Sequence, residues 1–471
     1  MTPPIRSRCH QTPLAVRLHR ALGWLLLLSL TGCNALPITL EQVTDSIDRF
    51  FDNPWQNPFQ PQPNAEQPPS AAAAPLKLGM LFSLSGELAR YGRSMQDSTS
   101  LLVETVNSCG GVTGQAVQLF LEDDQSNATA GKAAMTRLAN NGVGAVIGAI
   151  GSEVSNATVD LAVKDQIVQI SPASANAILT QRALKGQFEG YWFRTMPPEQ
   201  LQGEALARLA QQKNLKTVKI LAIDNDYGNS IIQAFTETAK QLGDPAPLQV
   251  IRYSPDASIY SIDLVSAFSE QPDAVLVVAQ PELGGDLLKA AFESGIWSGA
   301  TKALLSASMR TDGLARRVGI SPDGRYNASN SWGISLSSSN ALPQFRELYK
   351  QRFDREPGLY DPNTWDAAAV VVLAAEAAQS TSGNAIRGKM TEVASDPGVE
   401  VSDICQALAL VREGKDINYQ GTSGTLDFNQ AGDAVGIYDV WTIDYTGAIK
   451  PERTKIQVGR STRIPAAKPA L

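Results

Sequence analysis

The stretch GVGAVIGAIGSEVSNATVDLAVKDQIVQISPASAN, residues 142–176, decides how the rest of the chain is read. It holds two short apolar runs, Ala145-Val146-Ile147 and Ile167-Val168-Gln169-Ile170. Both are brief and rich in β-branched side chains, the pattern of strands buried on both faces of a parallel sheet. Each is followed by small and hydroxylated residues: Gly148-Ala149-Ile150-Gly151-Ser152 after the first, Ser171-Pro172-Ala173-Ser174 after the second. Between them, residues 156–165 fit a helix with Ser152 or Ser155 as its cap. In open α/β sheets, ligands sit beyond the carboxyl ends of the strands. Turns of this kind offer hydroxyls and free backbone N–H groups to a small anion or zwitterion. The alternative, two ordinary tight βα turns, stays open at this stage.

Working outward, the same alternation continues on both sides. Residues 76–82 and 117–121 read as strands, and 94–106 and 128–140 as helices. Phe193-Arg194-Thr195-Met196-Pro197-Pro198 breaks the rhythm, and a Pro pair suits a crossover between lobes. A second run follows, with strands over 217–223, 250–253, 274–279 and 302–306 and helices between them. Strands alternating with helices imply an α/β fold with parallel, doubly wound sheets. Two such runs of similar period imply two lobes. After Trp332 the pattern is mainly helical, clearest over 343–353 and 363–378. Gly421-Thr-Ser-Gly424 is a hinge candidate, and 426–428 and 437–443 read as closing strands. Residues 451–471 are basic with little apolar pattern and are expected to form a flexible tail.

The first residues read as a targeting segment. Arg6, Arg8, Arg17 and Arg20 precede an apolar run at 21–30 that is too short to span a bilayer. The run ends in Leu30-Thr-Gly-Cys33, which resembles a bacterial lipobox and marks Cys33 for lipidation and 1–32 for removal. Residues 33–75 form a Pro-, Gln- and Ala-rich tether that cannot build a core. What remains after residue 32 carries 36 basic and 47 acidic groups, a net charge of −11. An acidic body of this kind argues against nucleic-acid binding.

Both histidines, His10 and His19, fall in the leader. The remainder therefore lacks the commonest general base, and Ser-His-Asp, Cys-His and His-bearing zinc sites are excluded. Neither a metal nor a cofactor is expected, and the chain is not expected to be an enzyme. Gly383-Asn-Ala-Ile-Arg-Gly388-Lys389 approaches a P-loop but lacks the Ser or Thr after the lysine and follows a helix rather than a strand. Glu122-Asp-Asp124 reads as a solvated turn rather than a cation site. Cys109 and Cys405 are candidates for a disulfide, with two separate buried thiols as the alternative. Asp226-Tyr227-Gly228 closes the first strand of the second lobe, where Tyr227 is placed either to cover a ligand or to pack the turn.

An ordered set of motifs carries a family resemblance. Leu78-Gly-Met-Leu-Phe-Ser-Leu-Ser-Gly86, Asn107-Ser-Cys-Gly-Gly-Val112, Glu122-Asp-Asp-Gln125, Val146-Ile-Gly148, Ile170-Ser-Pro-Ala173, Asn225-Asp-Tyr-Gly228 and the late Gly432-Asp433 occur in order. Together they resemble the leucine/isoleucine/valine-binding family of periplasmic solute-binding proteins. The resemblance implies a two-lobed periplasmic-binding-protein-like type I fold with three crossovers, closing on a small ligand by hinge motion. Residues 76–196 plus 331–420 would form lobe 1, and 197–330 plus 425–450 lobe 2. It also implies delivery to an ABC transporter permease by a monomer on the periplasmic side, held at the membrane by its lipid. A ligand sensor reporting to a membrane receptor is the alternative partner reading.

By position, Ser152 matches a loop residue that binds a ligand carboxylate, Ala173 one whose backbone meets the amino group, and Tyr227 the aromatic of the second lobe. Ser174 stands in the same turn as Ala173, beside Ala175, where branched-chain binders carry Thr. Gln280 replaces an expected aromatic before Pro281. Ser308 stands where the family places the acid that pairs with the ligand ammonium; Glu282 or Asp312 are its candidate substitutes.

Overall fold

The computed structural model describes residues 74–244, 247–257, 260–297, 300–329 and 331–459. Cys33, the leader, the tether up to residue 73 and the residues after 459 lie outside the described residues.

The first lobe grows from the stretch quoted above. Strands β1 (Lys77–Phe82), β2 (Gln118–Asp123), β3 (Ala145–Gly148), β4 (Val168–Ser171) and β5 (Trp192–Arg194) form a five-stranded sheet of order β2-β1-β3-β4-β5. Every pairing in it is parallel. The connections are α1 (Ala89–Ser108), α2 (Ala128–Asn140), α3 (Ser152–Lys164) and α4 (Ala177–Leu184). Strands β3 and β4 are buried along their whole length, as a strand covered by helices on both faces must be.

Residues 195–199 carry the chain into a second sheet. After α5 (Gln200–Gln212) come β6 (Val218–Ile223), α6 (Asp226–Gln241), β7 (Gln249–Tyr253), α7 (Ser261–Phe268), β8 (Ala274–Val278), α8 (Pro281–Glu293), β9 (Lys302–Leu305), α9 (Leu314–Val318) and β10 (Trp332–Leu336). Residues 337–341 then return the chain to the first lobe. There α10 (Leu342–Phe353), α11 (Asp361–Ala377), α12 (Gly383–Arg387) and α13 (Ile404–Arg412) share one apolar core with β1, β3 and β4. A small parallel pair, β11 (Val399–Val401) and β12 (Ile417–Tyr419), flanks α13. Helix α11 is apolar on all sides through its middle, from Ala367 to Ala375, and 15 of its 17 residues are buried, so it runs through the core rather than over it. Cys109, at the end of α1, and Cys405 in α13 are joined by a disulfide.

A third crossover, residues 420–435, leads back to β13 (Gly436–Ile443) and β14 (Ile449–Val458). The second sheet has seven strands in the order β14-β13-β10-β9-β8-β6-β7, and β13 runs antiparallel to both neighbours. The fold is thus α/β, with two lobes, mainly parallel sheets and three crossovers.

Two sequence expectations are corrected. Residues 332–336 were expected in lobe 1, yet β10 pairs with β9 and β13 in the second sheet. Residues 451–458 were expected in a flexible tail, yet they form most of β14, whose exposed charges alternate with the inward-facing Ile456 and Val458. An edge strand with one face in water can be this polar. Among the described residues, no helix is long and apolar enough to cross a membrane.

Candidate functional site

The carboxyl ends of the parallel strands of both sheets converge near the crossovers. On the first lobe these ends are the turns after β1, β3 and β4; on the second, those after β6, β8 and β9. The first-lobe turns are stitched together by hydroxyls. The carbonyl of Ala149 accepts from Ser171 at 2.6 Å and from Ser174 at 3.2 Å, while Ser155 accepts from the Ala149 N–H at 3.0 Å. Ser174 is fully buried and also bonds Ser155 at 2.9 Å. Its hydroxyl therefore braces the turn. Ser152 opens α3, where the first N–H groups of a helix lack intrahelical partners. Its Oγ accepts the Asn176 N–H at 3.3 Å, and it is only partly covered. Ala173 is also partly covered, with its N–H in a long 3.3 Å contact to Ser171 Oγ.

Arg194, at the end of β5, supports this turn from beneath. Its guanidinium donates to the carbonyls of Ser174 and Asn176, each at 3.0 Å, and to Asp433 at 2.6 Å. Asp433 also accepts from Thr180 at 2.8 Å. The ion pair is completely buried and joins the strand leading into the first crossover to the third crossover.

On the second lobe, the structure brings Tyr227 and Ser308 into direct contact. The Tyr227 hydroxyl lies 3.0 Å from Ser308 Oγ and donates to Gln202 Oε1 at 3.0 Å. Ser308 in turn donates to the Ala279 carbonyl at 2.8 Å. Burial raises the Tyr227 phenol above its ordinary value, with the Ser308 bond opposing. With its hydroxyl committed, Tyr227 has its ring left to offer. Gly228 sets that ring's position: a Cβ there would lie 1.9 Å from the Ile223 carbonyl oxygen. Only glycine lets α6 start so close to the end of β6. Gln280 caps the end of β8, exposed, ahead of Pro281. Glu282 and Asp312 are both exposed, and the charge of Glu282 acts on Arg317.

The two faces meet where Asn176 donates to Asp226 at 3.4 Å, a first-lobe turn against a second-lobe one. Sequence reasoning passed over Asn176, Gln202 and Glu199. Each acts through partners distant in sequence, and no local pattern announces them.

The acidic turn after β2 closes a loop. Asp123 accepts from the Leu84 N–H at 2.9 Å and from Ser85 Oγ at 2.6 Å, and Asp124 accepts from Ser83 Oγ at 2.6 Å. Among the described residues, no group of three or more His, Cys, Asp or Glu is placed to hold a metal ion. A cavity of about 430 Å³ lies at the crossovers and is lined by Ser337, Asn340, Asn363, Gln420 and Ser423 among others; none of the sequence-predicted site residues lines it.

Known proteins resemble this chain in sequence and in fold. The chemotactic signal transduction system substrate-binding protein BasB of Halobacterium salinarum is 26% identical over 371 residues, covering 76% of this chain and 85% of that protein. A Leu/Ile/Val-binding protein homolog 1 of Brucella suis is 25% identical over 340 residues, covering 68% of this chain and 84% of its own length. The solved branched-chain amino acid transporter substrate binding protein LivJ from Streptococcus pneumoniae, in complex with isoleucine, superposes with a TM-score of 0.58 at 21% identity, covering 82% of this chain and 99% of that one. The resemblance to Leu/Ile/Val-binding proteins therefore holds, and the fold is the type I solute-binding fold. A family model described as the receptor family ligand binding region matches residues 95–446, which take in most of both sheets, all but β1 and β14. The chain belongs to that family of small-ligand-binding proteins.

Proposed function

We propose that this protein is an extracytoplasmic solute-binding lipoprotein, anchored through Cys33, that captures a small polar molecule between its lobes and hands it to an ABC importer. The ligand is an amino acid or a related amide or carboxylate. The observation that carries this reading is the pairing of two unlike faces: a polar first-lobe rim at Ser152 and Ala173, opposed by the Tyr227 ring locked to Ser308. The first face can hold a charged head group at the start of α3. The second covers it when the lobes close, and Gln280 sits at the outer edge of that cover. In this reading the protein binds and releases its ligand without turnover. It works as a monomer on the periplasmic side of the envelope.

A second reading is favoured by the similarity to BasB, which serves a chemotactic system. The same capture step would then report to a membrane receptor. Thermal unfolding of the purified full chain against amino acids, amides and small carboxylates tests the capture step, because a ligand that binds only the folded state raises Tm by mass action. A shift lost in Ser152→Ala supports the site; no shift with any compound overturns the ligand class. The membrane protein that crosslinks to the ligand-loaded form, a permease or a receptor, decides between the two partners.

A further inference from the structure

The carboxylate expected to meet a ligand ammonium is missing from the second lobe. Ser308 stands in its place with a hydroxyl already shared between Tyr227 and the Ala279 carbonyl. Glu282 and Asp312 point into solvent. A different acid stands at the cleft. Glu199 lies in the first crossover, immediately before α5. Its N–H donates to the Ala175 carbonyl at 3.0 Å, which seats it beside the turn that carries Ala173. Its own carbonyl accepts from the Gln202 N–H at 2.9 Å, and Gln202 holds the Tyr227 hydroxyl. Glu199 thus sits between the first-lobe turn and the second-lobe aromatic.

Its carboxylate makes no hydrogen bond and no ion pair among the described residues. The nearby Arg194 is committed to Asp433. Burial raises the Glu199 carboxyl, with the Arg194 charge opposing and the Asp226 charge adding. Its charge also reaches the phenols of Tyr227 and Tyr360. Tyr360 packs edge-on against Tyr91 at 5.2 Å, forming an aromatic wall on the same side. A half-buried acid without a cation, close to a second acid, is a costly arrangement. An incoming ammonium relieves it.

Resting on the solute-binding reading above, we infer that Glu199 is the ammonium-binding residue of this cleft and that the ligand is an amine-bearing zwitterion of the α-amino acid class. Glu199 would take the ammonium, the start of α3 at Ser152 would take the carboxylate, and the Tyr91–Tyr360 wall would meet the side chain. Simple carboxylates and amides present only half of this pattern.

Calorimetric titration of the purified full chain with L-amino acids and with their 2-hydroxy acid counterparts tests the inference. The expected result is that wild type binds an amino acid well above its hydroxy counterpart. Glu199→Gln should weaken the amino acid at least ~30-fold and leave the hydroxy acid unchanged, while Glu282→Gln and Asp312→Asn bind as wild type. The ligand-free Tm of Glu199→Gln should not fall, which separates lost recognition from lost folding. An amino acid bound equally well by wild type and Glu199→Gln overturns this inference and leaves the transport reading standing. A wild type that prefers the hydroxy acid also overturns it. A wild type that binds neither class but binds a simple amide or carboxylate overturns this inference alone, and one that binds none of the four overturns both.

Discussion

Arg194 and Asp433 meet at 2.6 Å with neither side chain exposed, so the strand entering the first crossover and the loop of the third are fixed to each other. The same guanidinium holds the Ser174 and Asn176 carbonyls, so hinge geometry and ligand-turn geometry share one anchor.

Replacing one partner leaves a buried charge unmatched. Asp433→Asn should destabilise the protein by about 3–5 kcal/mol, read as a lower urea midpoint. The paired change Arg194→Met with Asp433→Leu should recover part of that loss. Equal stability of Asp433→Asn and wild type would show that the pair bears no such strain.

Tyr227 separates packing from hydrogen bonding. Tyr227→Phe keeps the ring and removes the link between Gln202 and Ser308. It should cost about 1 kcal/mol of stability and leave ligand affinity within a few-fold of wild type. Tyr227→Ala should cost at least tenfold in affinity. If phenylalanine fails as badly as alanine, the hydroxyl rather than the ring meets the ligand.

The Cys109–Cys405 bond spans 296 residues and ties α13 to α1. Replacing both cysteines with serine should lower stability by about 2–5 kcal/mol. Thermal unfolding of wild type with and without reductant should show a matching drop, and the double serine variant should not respond to reductant.

Asp366 lies wholly inside, accepting from the N–H and hydroxyl groups of both Thr422 and Ser423 in the third crossover. Burial pushes its carboxyl from 3.8 up to about 6, against those four hydrogen bonds. The folded state therefore holds this proton more tightly than the unfolded state does. The resulting stabilisation is complete below about pH 4 and is lost as pH rises through 6. Asp366→Asn should be less stable than wild type at pH 4.5, with a gap that narrows by pH 7. Denaturant unfolding at both pH values measures it, and a gap that widens instead would mean the ionised carboxylate is the favoured form.

The alternation of strand and helix was legible because buried parallel strands need β-branched runs and their helices need apolar stripes. Val146-Ile147 and Val168-Gln169-Ile170 announce themselves this way. Strand β14 did not, because one face is solvated and its residues are mostly charged. The position of Tyr227, at the turn after β6, was legible in the same way. The bracing role of Ser174 was not, since a sequence does not say which way a hydroxyl points. Glu199 and Gln202 were hidden for a different reason: their neighbours, Ala175, Tyr227 and Tyr360, come from three separate parts of the chain.

The three crossovers also govern how the molecule is made. The first core includes β1 near the start and Leu426 and Phe428 near the end of the described chain. The second sheet places β13 between β10 and β14, so it waits for residue 458. A ribosome that has released only half of the chain has completed the small core between the first sheet and helices α2 and α3, but has left the sheet's other face uncovered. Such intermediates aggregate readily. The face of the first sheet that α11 and α13 cover therefore stays open until almost the whole chain is available.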